Sequence, residues 1–391
     1  MVAMNLYSDE IKPMTDTPNI LEIMTGRMRP RHRRFHKAFA TLCHNLGLDS
    51  SLRPVTIQQR IRTQATTRLY GVRSLKLDTP NTLGLLHQAL NRGSMPYIAE
   101  FDVPFALHGY DIQRHRRAHS QARRLLESPQ LRTLLTFSDW ASRSFGLHFG
   151  SLVEEKCRTV YPLAYEHAYC GNFDKRNYDF TFISTQFRIK CGPEAVKAFA
   201  QIQQSRFPKA RFCVVTNLAQ AKDLMGDLTA YPAIDWRESN LKESEIADLM
   251  AQTRCLVHPS LSDSFGVVVL EALAAGCAIL STNFASFNEM VSAENGWLVD
   301  APTASVVGDS FIAEYGNTAY HADYLNTLSM HRFERTLANC MQEFLANTDQ
   351  ATQMMQASRS LYESRFSLER WKQRMRAILR ESFPELMLAS A

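Results

Sequence analysis

The chain has 391 residues, 45% of them hydrophobic and 21% charged, with a formal net charge of +5. This is the composition of folded globular domains, and it excludes collagen-like, low-complexity and disordered classes. The length exceeds one ordinary core and suits two domains of roughly 150–200 residues each. Its eight cysteines include no CxxC pair, which argues against a zinc cluster or a small disulfide framework and for reduced thiols.

In chain order, MVAMNLYSDEIKPMTDTPNI places acidic residues where a secretory leader needs a basic and then an apolar segment. NILEIMTG (19–26) predicts a strand entering a loop, FHKAFATLCHNLGL (35–48) a helix, and RPVTI (53–57) a second strand. After the first strand a basic run containing Arg27, Arg29, Arg31, Arg33, Arg34 and Lys37 leads into the helix. PYIAEFDVPFALHG (96–109) and LRTLLTFSDWASRSF (131–145) read as strand-to-loop passages with a helix between them. That helix carries a second basic run around Arg114, Arg116, Arg117, Arg123 and Arg124.

From residue 178 the alternation sharpens. DFTFIS (179–184), RFCVVTN (211–217), AIDW (233–236), RCLVHPS (254–260), CAILST (277–282) and GWLVD (296–300) predict strands. PEAVKAFAQIQQ, KESEIADLMAQ and FGVVVLEALAAG, which lie between some of these strands, predict helices, the last closed by Gly276 as a left-handed cap. This pattern defines an α/β fold with a parallel sheet covered on both faces, a Rossmann-like domain. SLERWKQRMRAIL then places Leu368, Trp371, Met375 and Ile378 on one helical face behind Ser367 as N-cap. The division expected is 1–174, 175–365 and a terminal helix in 366–391.

The stretch HPSLSDSFGVVVLEALAAGCAIL (258–280) is nearly apolar, yet carries Asp263 and Glu271. Its apolar part is too short for a spanning helix, which needs roughly 18–20 residues, and a cytoplasmic protein without a membrane span is expected. If a strand ends near His258, then Asp263 and Ser264 sit in the loop at the carboxyl edge, and Phe265 or Gly266 opens the helix. Ligands of open α/β sheets bind at that edge. The helix start offers unpaired N–H groups to a diphosphate, Gly266 admits close backbone approach, and each carboxylate can accept two hydroxyl hydrogens of a sugar. On spacing alone, an N-cap role for Asp263 and a solvated helix position for Glu271 weigh evenly against this.

The segment resembles the signature of retaining glycosyltransferases of family 4, an acidic residue and a Glu separated by seven others. It runs Asp263, Ser264, Phe265, Gly266, Glu271, Ala272, Ala274, Gly276, and continues through Ile279, Asn288, Glu289, Val291, Asn295 and Gly296. The resemblance implies the GT-B fold, two facing Rossmann-like domains with the terminal helix crossing back onto the first. It implies transfer of a hexose from a UDP- or GDP-linked donor to an acceptor hydroxyl with retention, in glycan, glycolipid or surface polysaccharide synthesis, without a metal. Glu271 would then bind the ribose, Asp263 the transferred sugar, and Glu289 would lie near the donor. Asp stands at 263 where the family has Glu, and Phe284, Ala285 and Ser286 replace its paired glycines.

In STQFRIKCG (184–192) the resemblance assigns Arg188 and Lys190 to the leaving diphosphate, Lys190 at the family's distance from the next helix and Arg188 closer to it than is common. In the first domain it asks for a sugar-facing His; alignment by HG selects His108, alignment by the strand selects Asp102, and His108 ranks first. His87 and His258 read as structural. An anionic acceptor is one reading of the first basic run, and a solvated face the other, slightly favoured. Rival readings are a phosphorylase or epimerase on the same fold, or a nucleic-acid-binding protein; the basic runs lack interleaved aromatics, which argues against nucleic acid.

Overall fold

Two parallel sheets organise the molecule. The computed structural model describes residues 19–24, 30–54, 71–79, 82–165, 171, 175–302, 306–307, 310–311, 325–326 and 328–384. The amino-terminal residues 1–18, Gly26, Arg27 and Arg29 of the first basic run, residues 55–57 of the second expected strand, and Cys170 lie outside the described residues.

The first sheet has six strands in the order Asp49–Pro54, Asn19–Met24, Thr82–His87, Tyr97–Phe101, Leu131–Thr136, Cys157–Thr159, all parallel. Every residue of Tyr97–Phe101 is buried, as a central parallel strand between two helical layers requires. Helix formation after the first strand begins at Pro30, ahead of the apolar residues that mark it in sequence. Proline suits a first helical turn, where its missing N–H has no partner to lose.

The second sheet follows the order Ile234–Glu238, Phe212–Thr216, Tyr178–Ser184, Thr253–His258, Ala278–Thr282, Gly296–Val299, again all parallel. The winding reverses between Tyr178–Ser184 and Thr253–His258. Such a reversal splays the two following loops apart and opens a crevice at the carboxyl edge. The loops here are residues 185–191 and 259–266.

Phe180, Phe182, Phe199, Phe212 and Phe344 form a core of the second domain with helices Gly192–Ser205 and His331–Ala346. A second core runs across the domain boundary, joining Phe101 and Phe145 of the first domain to Phe265, Leu270 and Phe287 of the second. The terminal helix Leu368–Ser382 packs on the first domain. Its stripe of Trp371, Met375, Ile378 and Leu379 is buried with Phe35, Phe39 and Leu83, and Trp371 meets Phe35 edge-on at 5.1 Å. Each such side chain stabilises the docking by about 1.5–3 kcal/mol. Ser367 starts the helix by accepting from the Arg370 N–H. The seven described cysteines are buried, and among the described residues no helix is long and apolar enough to cross a membrane.

Candidate active site

The strand Thr253–His258 ends in a loop that folds back through Asp263 to the helix Val267–Ala274. Gly266 precedes that helix in the left-handed region, at φ 83°. A Cβ there would also stand 2.3 Å from the Phe287 ring, so both conformation and space demand glycine. Val267 and Val268, in the first turn, have N–H groups with no intrahelical acceptor.

Asp263 organises the loop with both oxygens. Oδ1 accepts the Gly266 N–H at 2.9 Å, while Oδ2 accepts from Lys190 Nζ at 2.7 Å and lies 3.2 Å from His258 Nε2. Lys190 reaches across the crevice from the other loop and also donates to the Ser262 carbonyl. Burial alone would raise the Asp263 carboxyl, but Lys190 and His258 hold it far below the carboxylate range. Burial lowers the His258 pKa, so the neutral ring carries its hydrogen on Nε2 to meet the carboxylate. His258 thus supports Asp263 directly, a role its apolar neighbours in sequence did not reveal.

Cys191, next to Lys190, adopts φ 54° and ψ 38°. This is the left-handed region, which favours glycine over any residue with a side chain.

Arg188 takes a different direction from Lys190. Its Nη1 donates to both Glu194 oxygens at 2.8 and 3.0 Å, its Nε to Asn326 and its Nη2 to the Leu325 carbonyl. With the guanidinium fork engaged inside the second domain, Arg188 fixes the loop that carries Lys190, and the two basic residues are not brought together on one ligand position.

Glu271 lies one turn into the helix, with its side chain 15% exposed. It pairs with Arg34 of the first domain, Nη1 to Oε1 at 2.9 Å, and is neither a solvated helix position nor an open acceptor. Burial raises its pKa, and Arg34 opposes the rise. Arg34 also approaches Glu243 at 3.5 Å, and Arg33 pairs with Glu243 at 3.1 Å. Part of the first basic run therefore faces the second domain across the cleft.

Glu289 turns its carboxylate to the first domain. Its oxygens accept the Asp139 and Trp140 N–H groups at 3.1 and 2.8 Å, the first turn of the first-domain helix Asp139–Phe149. A carboxylate at a helix start satisfies open donors and complements the dipole. Tyr161 adds its hydroxyl at 3.1 Å. Phe265 is buried and packs against Tyr161 with ring centroids 6.0 Å apart, so it too joins the domains. Ser264 is half-buried in the loop.

His108 ends the short 3-10 helix Pro104–His108 and is fully buried. Its Nδ1 bonds the Gly71 carbonyl at 2.6 Å, and its ring stands 4.8 Å from His115. Burial lowers its pKa to about 4. Asp102, also buried, accepts from the Tyr110 hydroxyl at 2.7 Å and from the Val103 N–H. His87 lies between two carboxylates, Glu100 at Nδ1 and Glu22 at Nε2, the latter at 2.7 Å.

Two facing doubly wound sheets, a crevice at the switch point and a terminal helix crossing back define a GT-B protein. Residues 171–312 match the family model described as glycosyl transferases group 1. A D-inositol 3-phosphate glycosyltransferase of Arthrobacter is 27% identical over 174 residues, 42% of this chain and 41% of that relative; the match thus spans less than half of either protein. HepE of Anabaena, in a structure in complex with UDP, superimposes with TM-score 0.59 at 13% identity, covering 92% of this chain and 99% of that one. Sucrose-phosphate synthase of Thermosynechococcus elongatus superimposes with TM-score 0.64 at 13% identity, over 94% and 99% of the two chains.

Proposed function

We propose that the chain is a retaining glycosyltransferase of family 4, moving a hexose from a UDP- or GDP-linked donor to an acceptor hydroxyl in glycan, glycolipid or surface polysaccharide synthesis. The observation that supports it most is the meeting of Lys190 and Asp263, 2.7 Å apart, beside the helix start at Gly266. A diphosphate seated on the N–H groups of Val267 and Val268 lies within the field of the Lys190 ammonium. Asp263, ionised throughout, faces the transferred sugar, and Glu271 accepts the ribose hydroxyls once Arg34 has moved aside.

In this reading the diphosphate leaves from the face that the acceptor attacks, and its oxygen takes the acceptor proton. Charge builds on the leaving group, where a preorganised donor typically contributes about 3–4 kcal/mol. Lys190 and the helix start supply that stabilisation, so no metal is needed. Arg188 acts through the loop it holds. The UDP in complex with HepE of Anabaena supports a nucleotide diphosphate donor, and the similarity to a D-inositol 3-phosphate glycosyltransferase of Arthrobacter supports a phosphate-bearing acceptor. The enzyme works in the cytoplasm, with peripheral contact to a membrane where the acceptor is lipid-linked.

The test is a thermal-shift panel of UDP, GDP, ADP and their sugars, followed by NMR of the product made from the sugar that binds. Binding to the native state raises the midpoint. A rise with UDP or GDP and a product of unchanged anomeric configuration is expected. No shift with any nucleotide refutes the donor site, and an inverted product refutes retention.

A further inference from the structure

A cavity of about 490 Å³ opens between the exit of the last first-domain strand and the segment that crosses back. Tyr161 comes from the first domain, whereas Arg365, Phe366, Arg370, Trp371 and Arg374 come from the crossing segment. Three guanidiniums therefore converge on one space, and among the described residues no lining residue is acidic. The volume lies in the range of small-molecule sites.

The three arginines differ in what already holds them. Arg365 donates to the Glu289 carbonyl at 3.0 Å and lies 3.4 Å from Asp139, so its charge is partly matched. Arg370 bonds only the neutral Gln373 side chain, at 3.1 Å, and Arg374 the Thr159 carbonyl, at 3.1 Å. Among the described residues neither forms an ion pair. They stand four residues apart on the helix Leu368–Ser382, a spacing that puts both on one face. Like charges held there repel each other, and a bound anion relieves the repulsion.

The rest of the wall is aromatic. Arg365 and Arg374 both stand over the Tyr161 ring, at 5.1 and 5.3 Å from its centroid, and Arg365 also donates to the Tyr161 hydroxyl. Planar forks of this kind match phosphate oxygens in pairs. Phe366 and Trp371 add apolar surface for the body of a ligand.

We propose that this cavity binds a phosphomonoester, with Arg370 and Arg374 on its oxygens and the aromatic wall against its organic part. The lining contains none of Lys190, Asp263, Gly266 or Glu271, and an occupant would join the exit of the last first-domain strand to the crossing segment. A phosphomonoester comes either as a small sugar phosphate or as the headgroup of a phosphatidate-type lipid.

The experiment compares the full chain with the double variant Arg370→Gln/Arg374→Gln, both surface positions. Glucose 6-phosphate binding is measured by calorimetry, and co-sedimentation with phosphatidylcholine vesicles by adding 20% phosphatidate or none, this lipid fraction being about that of an anionic membrane surface. The proposal expects one of the two phosphomonoesters to bind the wild type and to bind the variant at least about tenfold more weakly, as loss of two charge-assisted contacts should cause. Response to glucose 6-phosphate identifies a soluble ligand, and response to phosphatidate alone a lipid headgroup. Failure of both to bind the wild type, or equal binding by wild type and variant, overturns it. UDP binding, read in parallel, is expected to be the same in both proteins, so the outcome is independent of whether the donor crevice functions as proposed.

Discussion

The two domains turn the carboxyl edges of their sheets toward each other, yet furnish those edges in opposite ways. In the second domain the edge is a crevice between two loops, with a lysine, a carboxylate and an open helix start gathered around it. The corresponding edge of the first domain is closed from within. Glu22, His87 and Glu100 come from three neighbouring strands, each side chain at most 4% exposed, and His36 closes on Glu22 at 2.6 Å. One edge keeps its charges where a ligand can compete for them, and the other uses them to bind its strands together. A charged cluster at a sheet edge is thus a site only when something has been left for a ligand to satisfy.

The largest effect expected from this contrast is on stability. Removing His87 by His87→Ala leaves two buried carboxylates without their shared partner, and such losses destabilise by about 3–5 kcal/mol. The pH dependence identifies the cause. Burial opposes charge on His87, but Glu100 and Glu22 outweigh it and push the pKa from 6.5 up to about 9. Glu100 is likewise disfavoured by burial but held down at about 2, chiefly by His87. A raised His pKa stabilises fully below the unfolded value and is lost as pH rises through the folded one. The wild-type melting midpoint should therefore fall between pH 6.5 and 9, and the same limb should be flat in His87→Ala; an unchanged limb would show that other groups govern it.

At the other edge, Lys190→Ala should lower turnover of the nucleotide sugar by at least about a hundredfold, near 2.7 kcal/mol, while the protein stays folded. Wild-type rates in steady-state assays would remove the leaving-group role. The smallest effect is expected where the edges join. Glu289→Ala removes the acceptor of two N–H groups at the helix Asp139–Phe149, a capping loss of about 1 kcal/mol. Chemical denaturation should register it, and no change in midpoint would mean that the other interdomain contacts hold the interface without it.

The same contrast explains what could be read from the sequence. The second domain announces itself because its strands are continuous and apolar, and because Asp263, Gly266 and Glu271 lie within one βα unit. Local spacing carries that information. Glu22, His87 and Glu100 are separated by whole crossovers, and nothing in the surrounding residues says that three strands bring them together.

Partner choice was legible to an intermediate degree. Arg188 and Glu194 are six residues apart at a helix start, so their ion pair could have been anticipated. Arg34 on Glu271, by contrast, needs the domain arrangement. Glu289 likewise follows its motif in sequence while its contacts belong to the interface. The amphipathic stripe of the terminal helix was visible, but the face of Phe35 and Phe39 that receives it was not.

Beside the proposed nucleotide site at Gly266, Glu271 is the residue that distinguishes a ribose contact from a mere interdomain ion pair. Titration calorimetry with whichever of UDP or GDP binds the wild type, repeated on Glu271→Gln, tests it most directly. Charge-assisted hydrogen bonds to two hydroxyls should be lost, weakening the nucleotide by at least about tenfold. Equal or tighter binding by Glu271→Gln would mean that Glu271 only holds Arg34, and would contradict the assignment.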